Sequence, residues 1–314
     1  MTAAPLPPLP RPLPPSALTA VDDERLERHG VRLLLKRDDL LHPDLVGNKY
    51  RKLRLNLAAA REQGHGTLLT FGGAYSHHLR ATAAAGRLHG FATVGVVRGH
   101  ELAGRPLNPL LAAAAADGMR LRFVDRAAYR RKAEPAWLAA LLAEAGPAYV
   151  LPEGGSNAAA VHGCTGLGRE LAGHADVAVV ACGTGGTLAG LAAGFPGEAV
   201  GVSVLRGGFL AAEVLRLQHA AFGGRRGHWR VEDRFHQGGY ARTTPALDLF
   251  AADFTARHGV ALERLYVAKA LHAAFALTAQ GAFPRGSRLA VVVTGAPPRD
   301  GLTPVTPSPR NLDP

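Results

Sequence analysis

The 314-residue sequence is poor in cysteine and has no long apolar run, and both shortages restrict what the protein can be. It contains only two cysteines, Cys164 and Cys182, which excludes a disulfide-stabilised scaffold and leaves one disulfide as an option. No apolar stretch reaches the ~20 residues that span a bilayer, and the N terminus lacks the apolar run of a signal peptide. We therefore expect a cytoplasmic protein with reduced thiols and no membrane contact.

Lysine is also scarce, so the net charge of +11 comes almost entirely from arginine. The arginines are scattered along the chain, and aromatic residues make up only 6% of it. Because a nucleic-acid-binding protein gathers its basic residues into a patch, we do not expect nucleic acid as a partner. An anionic substrate or cofactor explains the charge more simply. The five lysines are Lys36, Lys49, Lys52, Lys132 and Lys269.

Apolar residues, by contrast, make up 47% of the chain and occur in short continuous runs. Such runs are typical of strands buried on both faces of a parallel sheet. Segments with helical spacing separate most of them, which predicts an α/β fold with parallel sheets flanked by helices. A proline-rich arm over residues 1–16 and a frayed tail over residues 297–314 are expected at the ends. The predicted strands cover residues 31–35, 67–71, 93–97, 121–124, 148–151, 177–181, 199–204 and 289–293, and the predicted helices include residues 79–89, 108–117, 137–145 and 247–258.

A glycine-rich turn follows the predicted strand that ends at Ala181, at the end of a strand where ligands bind in such folds. Its glycines let backbone N–H groups approach an anion, and the helix that follows adds its positive end. The turn lacks the lysine of a P-loop and has only part of the dinucleotide fingerprint, so it predicts a single phosphate monoester. The alternative is a turn without a ligand. The predicted phosphate-binding residues are Gly183, Thr184, Gly185, Gly186 and Thr187.

Lys49 follows the first predicted strand and comes directly after Asn48, a residue type that commonly caps a helix. The first turn of a helix disfavours a cation, so the pKa of Lys49 should be lowered. A lysine with a lowered pKa suits Schiff-base chemistry. The alternative is a solvated surface lysine, which is the commoner role at a helix start.

A second glycine turn follows the second predicted strand and leads to Ser76. Ser76 and the N–H groups after it are predicted to hold a substrate carboxylate; the alternative is that Ser76 only caps the helix. His77 and His78 are adjacent and cannot both point inward from one helix. Since no further ligand completes a set, we expect no metal site.

Together, four motifs between about residues 31 and 295 resemble the family of 1-aminocyclopropane-1-carboxylate deaminases and D-cysteine desulfhydrases. The family carries K-R-D-D-L followed by G-N-K-x-R-K-L, and this chain has both, at residues 36–40 and 47–53. The family also carries G-G-x-x-S-N-H-x-R-A, P-x-G-G-S and G-T-G-G-T, which match residues 72–81 with one change, residues 152–156 and residues 183–187. Its members are pyridoxal 5′-phosphate enzymes of the tryptophan-synthase-β-like fold, also called fold type II.

The resemblance implies a role for each matching residue. Lys49 looks like the lysine that carries the cofactor and moves the substrate proton. Ser76 looks like the residue that binds the substrate carboxylate, and residues 183–187 look like the phosphate site. Tyr240 and Tyr266 match two tyrosines that reach the substrate pocket of the family, although each alone would read as a half-buried core residue.

A few positions depart from the family. His77 replaces an asparagine that contacts the phenolic oxygen of the cofactor, and an imidazole can still donate a hydrogen bond there. Val267 replaces the glutamate that pairs with the pyridine nitrogen in the deaminases, which makes the cofactor a weaker electron sink. Thr294 matches the desulfhydrases and would bring a hydroxyl near a neutral pyridine. Val293 and Ala296 match neither the desulfhydrases nor the deaminases.

These departures favour β-elimination of a good leaving group over opening of a cyclopropane ring. The resemblance therefore implies D-cysteine desulfhydrase-like activity on a small amino acid, giving a keto acid and ammonia. It also implies a homodimer whose subunits have a small domain, residues 53–161, inserted into a large domain of residues 1–52 and 162–314. A 1-aminocyclopropane-1-carboxylate deaminase, a nicotinamide-dependent dehydrogenase and a pyridoxal-phosphate binder without turnover stay open as alternatives.

Overall fold

A computed structural model of the protein describes residues 7–10, 14–45 and 47–295. The predicted proline-rich arm lies partly outside these residues, and Ala296 and the predicted tail lie wholly outside them. The described part of the chain forms two β-sheets covered by helices.

The strands of the described chain form a six-stranded and a four-stranded sheet. They are β1 (Leu18–Val21), β2 (Arg32–Lys36), β3 (Thr67–Gly73), β4 (Ala92–Arg98), β5 (Met119–Val124), β6 (Tyr149–Leu151), β7 (Val177–Cys182), β8 (Glu198–Ser203), β9 (His228–Glu232) and β10 (Arg288–Val292). The larger sheet has the order β1-β2-β10-β7-β8-β9 and the smaller has the order β5-β4-β3-β6. Every neighbouring pair is parallel except β1 and β2, which are antiparallel.

The helices connect these strands as crossovers. They are α1 (Glu24–Glu27), α2 (Asn48–Glu62), α3 (His77–His89), α4 (Pro109–Ala116), α5 (Arg126–Arg130), α6 (Pro135–Ala145), α7 (Ala158–Leu171), α8 (Gly186–Gly194), α9 (Leu210–Phe222), α10 (Pro245–His258) and α11 (Val267–Ala279). Short 3₁₀ turns cover Asp38–Leu40, His100–Leu102 and Glu153–Gly155. Within the described residues, no helix is both long and apolar enough to cross a membrane.

The larger sheet is buried on both faces. Alternate residues of β7 belong to two separate apolar clusters: Val177, Val179 and Ala181 to one, and Ala178, Val180 and Cys182 to the other. The first cluster also contains side chains of α10 and α11, and the second contains side chains of α7, α8 and α9. This arrangement explains the continuous apolar runs in the sequence, since a strand covered on both sides has no polar face.

All eight predicted strands are present, with ends within two residues of those predicted, and the α/β fold with parallel sheets is confirmed. β1 and β9 escape prediction because they lie at the two edges of the larger sheet: β1 has no buried residue, and β9 mixes exposed with buried residues. The smaller sheet lies within residues 53–161, but the domain boundaries themselves stay a prediction.

Glycines allow the helices next to the candidate site to pack closely. A Cβ atom added to Gly163 of α7 would lie 2.1 Å from the carbonyl oxygen of Arg51 in α2. One added to Gly190 of α8 would lie 2.3 Å from the carbonyl oxygen of Val161 in α7. Because no side chain fits at either contact, α2, α7 and α8 are held in direct backbone contact, and α2 is fixed relative to the start of α8.

Candidate active site

The carboxyl ends of β2, β10 and β7 lie side by side, and the segments that follow them meet at the start of α2. The backbone N–H of Asn48 donates a 3.4 Å hydrogen bond to the carbonyl oxygen of Thr294, which follows β10. The side-chain amide of Asn48 donates a 2.8 Å hydrogen bond to the hydroxyl of Thr187, in the glycine turn after β7. The sequence motifs around Lys49, Thr187 and Thr294 are therefore in one place.

The prediction that Asn48 caps α2 is wrong. Asn48 is the first helical residue, and the capping position is Gly47, with φ +68° and ψ −145°. A Cβ atom at Gly47 would lie 1.7 Å from the carbonyl oxygen of Thr294, so only glycine fits there. The amide of Asn48 is instead free to reach Thr187. Lys49 still lies in the first turn of the helix.

The pKa of Lys49 is lowered to about 7, by burial first and by the positive charge of Lys52 second. Its amine donates a 3.0 Å hydrogen bond to the side-chain oxygen of Asn48. No carboxylate forms an ion pair with it among residues 7–10, 14–45 and 47–295. From the sequence we expected the helix dipole to lower the pKa of Lys49, whereas the causes here are burial and a neighbouring cation. At neutral pH a large share of this amine is uncharged and nucleophilic.

The glycine turn after β7 forms an anion cradle, by which we mean residues 183–187 together with Ser156 and Lys52. The N-cap of α8 is Gly185, which has φ +75°, so α8 begins at Gly186 with its free N–H groups at the turn. A Cβ atom on Gly186 would lie 2.6 Å from the Ser156 hydroxyl oxygen and 3.2 Å from the Lys52 amine nitrogen. The hydroxyl groups of Ser156 and Thr184 are 2.6 Å apart. N–H, hydroxyl and ammonium donors thus converge on one point.

Lys52 is a functional residue that sequence reasoning missed. It lies one helical turn after Lys49, and its amine donates hydrogen bonds to the Gly154 carbonyl oxygen (3.1 Å) and the Ser156 hydroxyl (2.9 Å). Burial lowers its pKa. The glycine turn contains no cation of its own, and Lys52 supplies one from α2. The available signal was the spacing of three residues from Lys49, which places both amines on one side of a helix.

The turn after β3 places Ser76 and His77 at the start of α3. Ser76 is the N-cap, and its hydroxyl accepts a 3.3 Å hydrogen bond from the N–H of Leu79. The ring of His77 lies edge-on to the ring of Tyr266, with 6.4 Å between their centroids. His78 is instead buried behind the turn, so the two histidines point different ways. The capping role of Ser76 is present, and a carboxylate-binding role at the same helix start stays a prediction.

The side chains of Tyr240 and Tyr266 interact with each other and lie between the two glycine turns. A Cβ atom on Gly73 would lie 3.9 Å from the ring of Tyr240, and one on Gly183 would lie 3.5 Å from the ring of Tyr266. Burial raises the pKa of Tyr240 to about 12 and that of Tyr266 well above its usual value. Both phenols therefore keep their protons at neutral pH and can act as hydrogen-bond donors.

Lys269, a buried residue of α11, holds the loop that carries Tyr240. Its amine donates hydrogen bonds to the carbonyl oxygens of His236 (2.8 Å) and Gly239 (2.9 Å). The loop is strained, because Gln237 and other loop residues have positive φ values. Burial lowers the pKa of Lys269 to about 8. We place Lys269 as a positioning residue, since it contacts only the backbone around Tyr240.

Val267 has no carboxylate to contribute, and its side chain is buried in the apolar core. A different carboxylate, Glu263, is buried nearby, and no motif in the sequence singles it out. Its two oxygens accept the N–H groups of Leu265 (2.7 Å) and Tyr266 (2.8 Å), so it holds the turn that precedes α11. Its charge raises the pKa of Lys49 slightly against the larger effect of burial.

The anion cradle can bind a phosphate, and the Lys49 amine, with its pKa of about 7, can react with an aldehyde. Together they define a class of site that binds a phosphorylated aldehyde. Residues 18–295 match the family of pyridoxal-phosphate dependent enzymes, and the chain belongs to that family. Over 262 residues it is 30% identical to a protein of Thermotoga maritima named a putative 1-aminocyclopropane-1-carboxylate deaminase, covering 78% of this chain and 83% of that protein.

Other relatives match over a shorter length. The chain is 36% identical over 197 residues to a D-cysteine desulfhydrase of Yersinia pestis, covering 56% of this chain and 58% of the relative. It is 32% identical over 182 residues to a bifunctional D-cysteine desulfhydrase/1-aminocyclopropane-1-carboxylate deaminase of Arabidopsis thaliana, covering 53% and 45%. In both cases the match spans about half of the relative.

Solved structures give the same fold. The crystal structure of an ACC deaminase homologue superposes with a TM-score of 0.78 at 26% identity, covering 93% of this chain and 92% of the other. Threonine deaminase isoform 2 from Solanum lycopersicum superposes with a TM-score of 0.64 at 17% identity, covering 91% of this chain and 80% of the other, and shows the fold alone.

The residues of the site fit pyridoxal phosphate. A methyl group on Gly186 would collide with the Ser156 hydroxyl, so the side-chain donors of the cradle close in on the N terminus of α8, and this set of N–H, hydroxyl and amine groups suits a phosphate. Lys49, tied to the cradle through Asn48 and Thr187, offers the amine that an aldehyde needs.

Proposed function

We propose that this chain is a lyase that removes a β-substituent from a small amino acid, giving a keto acid and ammonia, as a D-cysteine desulfhydrase does. The observation that carries the proposal is the Lys49 amine, whose pKa is about 7 and which is linked to the anion cradle by Asn48 and Thr187. Relatives named D-cysteine desulfhydrase support the choice of reaction.

We assign binding roles first. The cradle N–H groups, the Ser156 and Thr184 hydroxyls and the Lys52 ammonium hold the phosphate of the cofactor. The start of α3, at Ser76, holds the substrate carboxylate, because its N–H groups carry the positive end of a 13-residue helix. These two anchors leave the α-carbon of the substrate between Lys49 and the tyrosine pair.

We assign proton transfers to Lys49. When bound, pyridoxal phosphate supplies an aldehyde for the substrate amine and a ring that delocalises the charge left on the α-carbon. The uncharged Lys49 amine takes the proton from the α-carbon. Tyr240 and Tyr266 keep their protons and donate hydrogen bonds toward the leaving group. The β-substituent leaves with its bonding electrons, and water releases the keto acid and ammonia.

We propose that the cofactor ring here is a modest electron sink. Val267 brings no carboxylate to it, and both oxygens of Glu263 are engaged by backbone N–H groups. Thr294 offers a hydroxyl at the end of β10, where the desulfhydrases have one. A modest sink suffices for a good leaving group such as thiolate, which is why we favour elimination over ring opening.

The second candidate is 1-aminocyclopropane-1-carboxylate deaminase activity. It is favoured by the Thermotoga maritima relative, whose match covers most of both chains. The two reactions are separated by their products, since ring opening gives 2-oxobutanoate and elimination from cysteine gives pyruvate.

The test is an absorption spectrum of the purified protein, followed by a screen of D- and L-amino acids for released keto acid. We expect a visible absorption band from bound cofactor, and pyruvate from D-cysteine. Release of 2-oxobutanoate from 1-aminocyclopropane-1-carboxylate, without pyruvate from cysteine, would replace the proposal by the second candidate. A coloured protein that releases neither keto acid would leave only cofactor binding.

We also propose, from the resemblance, a homodimer that acts in the cytoplasm. Both cysteines are free and buried, which supports a reducing setting. Sedimentation of the purified protein tests the dimer.

A further inference from the structure

Three arginines without a carboxylate partner surround the loop that carries Tyr240. We call Arg98, Arg206 and Arg242 the arginine rim. A Cβ atom on Gly239 would lie 3.3 Å from the side chain of Arg206, and one on Gly238 would lie 3.2 Å from that of Arg242. Within the described parts of the chain, none of the three guanidinium groups forms a hydrogen bond or an ion pair. All three residues are exposed.

Arg98 is the member closest to the substrate anchors. It ends β4 beside Gly73 of β3, and a Cβ atom on Gly73 would lie 3.5 Å from its guanidinium and 3.9 Å from the Tyr240 ring. The carbonyl oxygen of Gly73 also accepts the N–H of Ser76 at 3.0 Å. Arg98, Tyr240 and the proposed carboxylate site therefore border one tight turn.

Nearby negative charges do not cancel the positive charge of the arginine rim. Two carboxylates act on Tyr240, Glu153 and Glu263. Glu263 is buried with its oxygens engaged by backbone N–H groups, and its single negative charge does not offset three arginines. Glu153 is paired with Lys132 at 3.3 Å. That pair adds no net charge. Elsewhere in the protein, as at Arg51, guanidinium groups close to the site are fully engaged by carboxylates. The guanidinium of Arg98 lies over the ring of Tyr129, 5.7 Å from its centroid, a contact that leaves its charge in place. Exposed arginines without a carboxylate partner are ordinary on a basic surface, but three around one loop concentrate positive charge at the entrance.

We propose that the arginine rim selects amino acids whose side chain ends in a negatively charged group, such as a carboxylate, sulfate or phosphate. The proposal rests on the proposed function, because it assumes that the substrate carboxylate binds at Ser76 and the substrate amine near Lys49. With both anchored, the side chain points past Gly73 toward Arg98 and the Tyr240 loop. The substrate class is then a β-substituted amino acid with a second negative charge.

The chemistry balances without a further reactant. For serine O-sulfate, Lys49 takes the proton from the α-carbon, and the bond between the β-carbon and oxygen breaks. Sulfate leaves with the bonding electrons. Water then releases pyruvate and ammonia, so no oxidant or reductant is required.

The test compares aspartate with asparagine, which have nearly the same shape and differ in one charge. Each is titrated into the holoenzyme, in both enantiomers, and binding is followed by the change in cofactor absorption. We expect wild type to bind aspartate at least tenfold more tightly, with the ratio falling as salt is added. We expect Arg98→Gln to bring the ratio close to one. Arg206→Gln and Arg242→Gln should lower it less, because neither residue borders Gly73.

The matched control is Arg32→Gln, an exposed arginine at the amino end of β2, far from the Tyr240 loop along the sheet. It should leave the ratio unchanged. Turnover gives a second readout: Arg98→Gln should lower kcat/KM for serine O-sulfate about tenfold and change that for neutral β-chloroalanine less than twofold.

Three results would overturn the proposal. The first is equal affinity of the wild type for aspartate and asparagine. The second is an equal loss of affinity for both ligands in Arg98→Gln, which would place Arg98 at the α-carboxylate. The third is weaker binding of pyridoxal phosphate in Arg98→Gln with an intact ratio, which would assign the rim to the cofactor. Failure of the proposed function can be told apart from failure of this proposal. It would appear as no pyruvate from β-chloroalanine, whereas the aspartate titration requires no turnover.

Discussion

The two sides of helix α2 differ in whether their buried cations are paired with carboxylates. Arg51 is enclosed by carboxylates: Asp38 at 2.8 Å and Glu170 at 2.7 Å. Burial alone would lower its pKa, but the hydrogen bonds that Arg51 donates to these two carboxylates raise it. Among the described residues, the amines of Lys49 and Lys52, within one turn of Arg51, have only neutral acceptors, and burial lowers the pKa of both. Partners, rather than depth, decide whether the pKa of a buried cation is raised or lowered.

The paired side belongs to a larger network with no net charge. Lys36 forms a 2.7 Å ion pair with Glu170, and the Ser16 hydroxyl donates a 2.7 Å hydrogen bond to Asp38. Together with Arg51 this makes two cations and two carboxylates. The network joins β2 to α2 and α7 and so fixes the start of α2. We propose that the paired charges hold the helix in place and that the unpaired amines serve the cofactor and the substrate.

Removing the central unpaired amine should have the largest effect. Lys49→Ala should lower activity by more than about 10³-fold, since it removes both the cofactor-binding amine and the base. The absorption band of bound cofactor should also disappear. The control is Lys132→Ala, which removes a lysine that is not part of α2. A Lys49→Ala protein with an unchanged band would contradict the role of Lys49.

Breaking the paired side should reduce stability. Arg51→Met leaves Asp38 and part of Glu170 without a counter-charge, so the free energy of unfolding should fall by about 3–5 kcal/mol. Denaturant unfolding of the cofactor-free protein measures this. Arg54→Met, on the same helix but outside the ion-pair network, should cost well under 1 kcal/mol. Equal losses for the two variants would show that the network is not what holds α2.

Removing the second unpaired amine should weaken cofactor binding while the fold persists. Lys52→Met takes the only lysine from the anion cradle, so the Kd for pyridoxal phosphate should rise about 10- to 100-fold. Affinity for pyridoxal, which has no phosphate, should change little. If both cofactors lost affinity equally, Lys52 would not act on the phosphate.

The smallest effect is expected at Lys269. Lys269→Met frees the carbonyl oxygens of His236 and Gly239 and should let the Tyr240 loop shift, lowering kcat about tenfold. KM and the cofactor absorption band should change little, because Lys269 touches neither anchor. A loss of kcat that came with loss of the absorption band would point to general unfolding and not to loop position.

Much of the fold was predictable because strands buried on both faces leave continuous apolar runs, as β7 and β10 show. The edge strand β9 leaves no such pattern. The glycine turns and Lys49 were found from short motifs. The partners of Lys52 at Gly154 and Ser156 lie more than 100 residues away in the chain, and no local pattern shows which segments will meet. The role of Lys269 was missed for the same reason, because its partners His236 and Gly239 lie 33 and 30 residues away.

The most direct test is the pH dependence of labelling at Lys49. In cofactor-free protein, reductive methylation is followed by mass spectrometry at Lys49, with Lys132 as the internal reference. Only the uncharged amine reacts, so a lowered pKa shifts reaction to lower pH. We predict a half-maximal rate at Lys49 near the pKa of about 7 and a higher midpoint in Lys52→Met. A half-maximal rate at Lys49 near the ordinary lysine pKa of ~10.4 would contradict the account.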